Sequence, residues 1–108
     1  MAVSYDLFIE GEVHEARLAL PGNLRQRIRR AIDGLASQPR PAKTRTFDTS
    51  RLDLPADIEL RRLKIESWRL IYAVSDAEGW VWILGLQRRP PYDYEDLPRI
   101  VDKLRKPG

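Results

Sequence analysis

Residues 58–88 leave this chain little freedom of fold. Three strand-like runs, 58–65, 68–75 and 80–88, follow one another with connections too short to hold a helix: Glu66-Ser67, then Ser75 to Gly79. Strands joined so tightly lie antiparallel and adjacent. In the middle run Trp68, Leu70, Tyr72 and Val74 share one parity, the period-2 pattern of a sheet face.

The rest of the chain supplies a cover for that sheet. Residues 3–9 alternate loosely, with Tyr5, Leu7 and Ile9 on one parity, and predict a first strand. A short helix follows, carrying Val13, Ala16 and Leu20 on one side and ending at Pro21-Gly22. The next helix is the clearest element. Leu24, Ile28, Ile32 and Leu35 recur at helical spacing, Arg25, Arg27, Arg29 and Arg30 lie off that stripe, and Asn23 stands where an N-cap is expected. So tight a junction predicts an antiparallel helix hairpin. Residues 37–57, with Pro39, Pro41 and Pro55, read as a long connection of a kind that often carries function. In the tail, Tyr94 to Lys106, Leu97, Ile100, Val101 and Leu104 have helical spacing, with Asp96 as cap and Pro98 in the first turn. The expectation is one α+β domain over residues 1–108, in the order β-α-α-β-β-β-α. The helix hairpin packs on one face of a small, mainly antiparallel twisted sheet, a short helix closes the chain, and the other sheet face is free for function.

Composition narrows the chemistry. There is no cysteine, so disulfides and thiolate catalysis are excluded. The single histidine, His14, falls on the first helix, away from the free face, and zinc would have to rely on it and carboxylates. No metal and no cofactor is expected. No apolar run approaches the ~20 residues that span a bilayer, no secretory signal stands at the start, and the cytoplasm is the expected compartment. The net charge of +3 hides its distribution. Residues 1–16 carry −4, residues 17–51 carry nine Lys/Arg against Asp33 and Asp48, and the remainder balances. A basic block suits a polyanionic partner; it equally suits a solvated helix surface.

Alternation in the strands singles out a smaller set. Leu63 and Ile65 take the core side of their strand, which leaves Arg62 and Lys64 on the other. Leu70 and Tyr72 turn inward in the next, which leaves Arg69 outward. Arg88 closes the last strand and Arg89 follows it. Arg62, Lys64, Arg69 and Arg88 are therefore expected to converge on the free face. Such cations bind phosphates and stabilise a phosphorane that carries extra negative charge. Crowded like charges favour the neutral form of a lysine, which would fit Lys64 for proton transfer. Tyr92 and Tyr94 lie just beyond and could stack on a base or handle a proton. Glu66, at a turn, is the carboxylate nearest the cations. Taken singly, each cation and Glu66 also fits a solvated side chain, and each tyrosine fits one that packs and hydrogen-bonds.

The run Arg61-Arg62-Leu63-Lys64-Ile65-Glu66-Ser67-Trp68-Arg69-Leu70-Ile71-Tyr72 resembles the strand–turn–strand signature of the RelE/ParE toxin superfamily. The later run from Ile83 to Tyr94 is similar to that family's closing strand, in which a basic residue precedes a loop tyrosine. The resemblance extends over nearly the whole chain. It implies a toxin of a type II toxin–antitoxin system, a ribosome-dependent mRNA endonuclease that drives the RNA 2′-hydroxyl onto the adjacent phosphate without a metal. It implies catalytic roles for Arg62, Lys64, Arg69, Arg88 and Tyr92, and substrate binding by Arg61, Arg89 and Tyr94. Implied partners are a cognate antitoxin, the ribosome and mRNA, with no membrane; the oligomeric state stays open. Several relatives have a histidine before the last-strand arginine, where this chain has Gln87. A histidine base is therefore missing, and cleavage would rest on cationic stabilisation and positioning. A ParE-like inhibitor of DNA gyrase and a non-toxic binding module are the alternatives.

Overall fold

A computed structural model describes residues 4–47 and 54–88, together with Asp102 and Leu104. Strand β1 (Asp6–Ile9) leads into helices α1 (Gly11–Leu18) and α2 (Gly22–Leu35), followed by β2 (Thr44–Thr46), β3 (Ile58–Ile65), β4 (Trp68–Ser75) and β5 (Trp80–Arg88). The five strands form one sheet in the order β1-β5-β4-β3-β2. β1 runs parallel to β5, and the other three pairings are antiparallel. The fold is α+β, two helices on a mixed, mainly antiparallel sheet, and the three-strand meander has the expected bounds.

Three expectations change. Residues 37–57 are not one open connection, because β2 forms within them on the outer edge of β3. Its Thr44 turns inward, 7% exposed, with its hydroxyl donating to the Pro41 carbonyl at 2.8 Å. The cap of α2 is Pro21, not Asn23: the Pro21 carbonyl accepts the Arg25 N–H at 2.8 Å and no side chain caps the turn. A proline suffices there, since an N-cap needs a carbonyl and a non-helical ψ but no N–H. The tail helix lies outside the described residues except for Asp102 and Leu104, both helical.

The third change concerns the face expected to be free. On the inner face, Val13 of α1 and Ile28, Ile32 and Leu35 of α2 pack on Leu63, Ile65, Leu70, Tyr72, Val74, Val81 and Ile83. The outer face has a core of its own. Leu60, Ile71, Ala73 and Leu84 are buried there beneath Phe47, Leu54, Ile58, Trp80, Trp82 and Leu104. β4 is thus covered on both sides, and every residue from Leu70 to Ser75 is buried. Each fully buried Leu, Ile or Val contributes roughly 1.5–3 kcal/mol, so both faces are needed to hold so small a domain together.

Beyond the end of α2 a polar network takes over the inner cover. Tyr72 donates from its buried hydroxyl to the Pro39 carbonyl at 2.7 Å. Arg40 bridges Glu59 at 3.1 Å and Asp76 at 3.0 Å, and Asp76 also accepts the Tyr5 hydroxyl at 2.6 Å. Burial pushes the Glu59 carboxyl up, but hydrogen bonds and charge from Arg61 and Arg40 outweigh it and hold the group below its ordinary range. The Tyr5 and Arg40 hydrogen bonds hold Asp76 low as well. A carboxylate depressed in the folded state stabilises it above the ordinary carboxylate range, and that contribution is lost as the groups protonate. Denaturant-measured stability is therefore expected to be level near neutral pH and to fall as pH drops through 4.5, the ordinary value for Glu59. Glu59→Gln should be less stable at neutral pH and show a shallower acid decline; an unchanged slope would remove the network from the account.

Candidate functional site

The cations left on the outer face sit where its apolar cover ends. From Leu60 onward β3 alternates, so Leu60 is under the cover while Arg62 and Lys64 lie beyond it on the same face. Arg69 stands directly opposite Lys64 in β4. β2 adds Arg45 directly opposite Arg62, and Lys43 precedes it. These five side chains, Lys43, Arg45, Arg62, Lys64 and Arg69, line a cleft of about 460 Å³, and among the described residues no acid joins them.

This arrangement costs stability. Like charges placed directly across a strand pair repel, and the cleft holds two such pairs, Arg45–Arg62 and Lys64–Arg69. Packing does not demand them. Local rules of this kind are broken mainly where function requires it. Arg69 is also held in place, and Arg62 has a ring beside it. Arg69 donates Nη1 to the carbonyls of Trp68 at 3.1 Å and Glu66 at 3.3 Å, contacts that fix the head group without neutralising it. The Arg62 guanidinium carbon lies 5.5 Å from the ring centroid of Phe47.

Several expected members are not in the cleft. Arg88 is the informative one. A bulge shifts the β4–β5 register, so Tyr72 pairs with Ile83 while its neighbour Ile71 pairs with Gly85. One extra residue reverses the alternation beyond it. Gln87 consequently stands opposite Arg69, and Arg88 stands opposite Trp68, on the parity of Leu70 and the helix-covered face. The four-cation convergence drawn from plain alternation thus loses Arg88. Arg61 also faces inward, opposite Tyr72. Its side chain is 12% exposed, with the guanidinium paired with Glu59 at 2.5 Å and hydrogen-bonded to Thr44 Oγ1 at 2.8 Å. Glu66 turns toward α2 and pairs with Arg27 at 3.1 Å. His14 is exposed on α1 beside Arg17, at 3.2 Å. Arg89, Tyr92 and Tyr94 lie outside the described residues.

Lys43 and Arg45 are the residues that sequence reasoning passed over. Their signal was the alternation Thr44-Arg45-Thr46, too short to stand out between Pro41 and the polar stretch after it.

A larger cavity, about 810 Å³, opens at the other end of the outer face between Phe8, Trp80, Trp82 and Ile58. Glu10, Asp57 and Glu78 line it, and these carboxylates repel a polyanion. Size therefore does not decide the matter, and the smaller cationic cleft is the candidate site. No group of three His, Asp or Glu side chains among the described residues is placed to hold a metal ion.

No protein-family model and no curated protein matches the chain. Solved structures do. A RelE–RelB complex from Pyrococcus horikoshii OT3 aligns over 81% of this chain and 97% of its own, with 24% identity and a TM-score of 0.70. The toxin–antitoxin complex RelBE2 from Mycobacterium tuberculosis aligns over 82% and 95%, with 18% identity and a TM-score of 0.63. The isolated E. coli RelE toxin aligns over 93% and 98%, with 17% identity and a TM-score of 0.53. The chain has the RelE-like toxin fold. In that fold the cleft occupies one end of the outer sheet face, at the start of β4. Among the described residues no helix is long and apolar enough to cross a membrane.

A cleft that neutralises phosphates releases counterions, and for a single strand each contact adds about 0.7 to the slope of log affinity against log salt. If the cleft takes phosphates, Arg45→Ala, Arg62→Ala and Arg69→Ala should each lower that slope by roughly this amount in binding titrations with a single-stranded oligonucleotide. Arg25→Ala on α2 should leave it unchanged. Equal effects from Arg25 and the cleft residues would move the binding surface to the helix.

Proposed function

We propose that this protein is the toxin of a type II toxin–antitoxin system, an endoribonuclease that cuts mRNA on the ribosome and so inhibits translation. The observation that carries this reading is the cleft of Lys43, Arg45, Arg62, Lys64 and Arg69 with no acid among its described lining, set in a RelE-like fold. Its chemistry suits a phosphodiester. Attack of the 2′-hydroxyl on the adjacent phosphate forms the O2′–P bond and breaks the P–O5′ bond, the 2′ proton being lost and the departing 5′-oxygen taking one up; negative charge builds on the phosphoryl oxygens, and fixed guanidinium groups stabilise that charge more than the ground state. Arg69, anchored by two carbonyls, is the candidate for this role, with Arg62 beside it. Lys64 is the candidate for proton transfer. Lys43 and Arg45 widen the cationic track along the edge strand and serve to hold the RNA backbone. Tyr92, Tyr94 and Arg89 keep their proposed roles in stacking and binding.

The proposed partner in the cell is a cognate antitoxin. RelE proteins of this fold are solved in complex with RelB antitoxins. An acidic segment that folds on binding would neutralise the cleft here.

One observation favours a second reading, a ParE-like gyrase inhibitor or a binding module without hydrolysis. The β5 bulge gives the position opposite Arg69 to Gln87 and carries Arg88 to the other parity, which leaves the cleft one arginine short of the full set.

Inducible expression followed by mapping of mRNA 5′ ends separates the two. Wild type should arrest growth with new 5′ ends inside coding regions. Arg69→Ala should lose about 10²–10³ in cleavage rate, the usual cost of removing one transition-state donor, with its thermal unfolding unchanged. Full toxicity of Arg69→Ala, or DNA damage with intact mRNA, would overturn the endonuclease assignment.

A further inference from the structure

Phe47 joins the two halves of the outer face. Its N–H donates to the Leu60 carbonyl at 3.0 Å, which continues the β2–β3 pairing one residue past β2. Its ring is half-buried against the outer apolar cluster that contains Leu60, and the Arg62 guanidinium carbon lies 5.5 Å from its centroid. Backbone pairing thus places the residue, and packing against the cluster limits its ring.

A ring beside Arg62 bears on where its head group settles. An arginine head group is placed by several soft torsions, and Arg45, its direct cross-strand partner, repels it. The face of an aromatic ring attracts the cation and offers a plane for the guanidinium to stack on. Apolar packing by itself calls for a hydrophobic side chain at this place, whereas a cation contact calls for a ring.

We propose that Phe47 is a positioning residue of the cleft: its ring holds the Arg62 guanidinium against the repulsion of Arg45, in the orientation that receives an RNA phosphate. The proposal rests on the reading of the cleft as an RNA site, but on its binding step and not on cleavage. It gives the outer apolar core a second task, since the ring that closes the core also sets the geometry of the charged site.

A double-mutant cycle tests this. The probe is a fluorescein-labelled oligouridylate, titrated at low salt by anisotropy against the full chain. Phe47→Leu should weaken binding about two- to fivefold, the range of one cation–π contact. Phe47→Tyr, which keeps a ring, should bind as wild type does. In an Arg62→Ala background Phe47→Leu should change nothing further. Thermal unfolding checks that each variant is folded, and Phe47→Tyr against wild type keeps the comparison informative if Phe47→Leu is unstable. An equal loss in both backgrounds would make Phe47 a packing residue, and no loss in either, or no binding by wild type, would overturn the proposal outright. If the cycle shows coupling while wild type leaves mRNA intact on translating ribosomes, the positioning role stands and the endonuclease reading falls.

Discussion

A strand that water does not reach governs this molecule. β4 runs from Leu70 to Ser75 without an exposed side chain, and a strand buried on both faces needs two covers. The helix pair supplies one through Val13, Ile28, Ile32 and Leu35. The other includes Trp80, Trp82, Ile58 and Phe47. Their reach sets the size of the remaining opening. Where β4 begins, at Trp68 and Arg69, the outer cover stops, and charged side chains can stand on a rigid sheet there without losing their water. The candidate site is the part of the sheet that the second core leaves uncovered.

Much of the fold is legible in the amino-acid sequence, because short turns and strong periodicity act locally. Glu66-Ser67 and the turn ending in Gly79 fix the meander, and the stripe Leu24, Ile28, Ile32, Leu35 fixes the buried side of α2. Gly79 adopts φ +74, where a side chain is strained, which suits it to close its turn. The second core had a signal as well: residues 70–74 are apolar on both parities, which a one-sided strand does not require. Reading a single parity from that run leaves the outer face wrongly bare.

The site is less legible, for two physical reasons. Alternation carries a residue's facing along a strand only while the register is regular, and the bulge before Gly85 reverses it within a few residues of Arg88. Nothing in the composition of Ile83-Leu84-Gly85-Leu86 states that a residue is inserted relative to β4, although a glycine inside a strand is where one is expected. The edge strand fails differently. Thr44 to Thr46 gains its strand conformation from pairing with β3, a contact between residues far apart in sequence. Arg62, Lys64 and Arg69 were legible because their strands are regular and close together; Lys43 and Arg45 were not, because their place depends on that distant pairing.

The cross-strand pairs Arg45–Arg62 and Lys64–Arg69 have a consequence for how such a chain evolves. Their mutual repulsion is a standing load on the folded state, relieved when a polyanion occupies the cleft, since a ligand that binds the native form alone raises its stability. Replacing one member of a pair with a neutral residue relieves the same load permanently. Drift toward higher stability therefore runs toward an emptied cleft, and a lineage freed from selection on this surface would keep its two cores while shedding its charge.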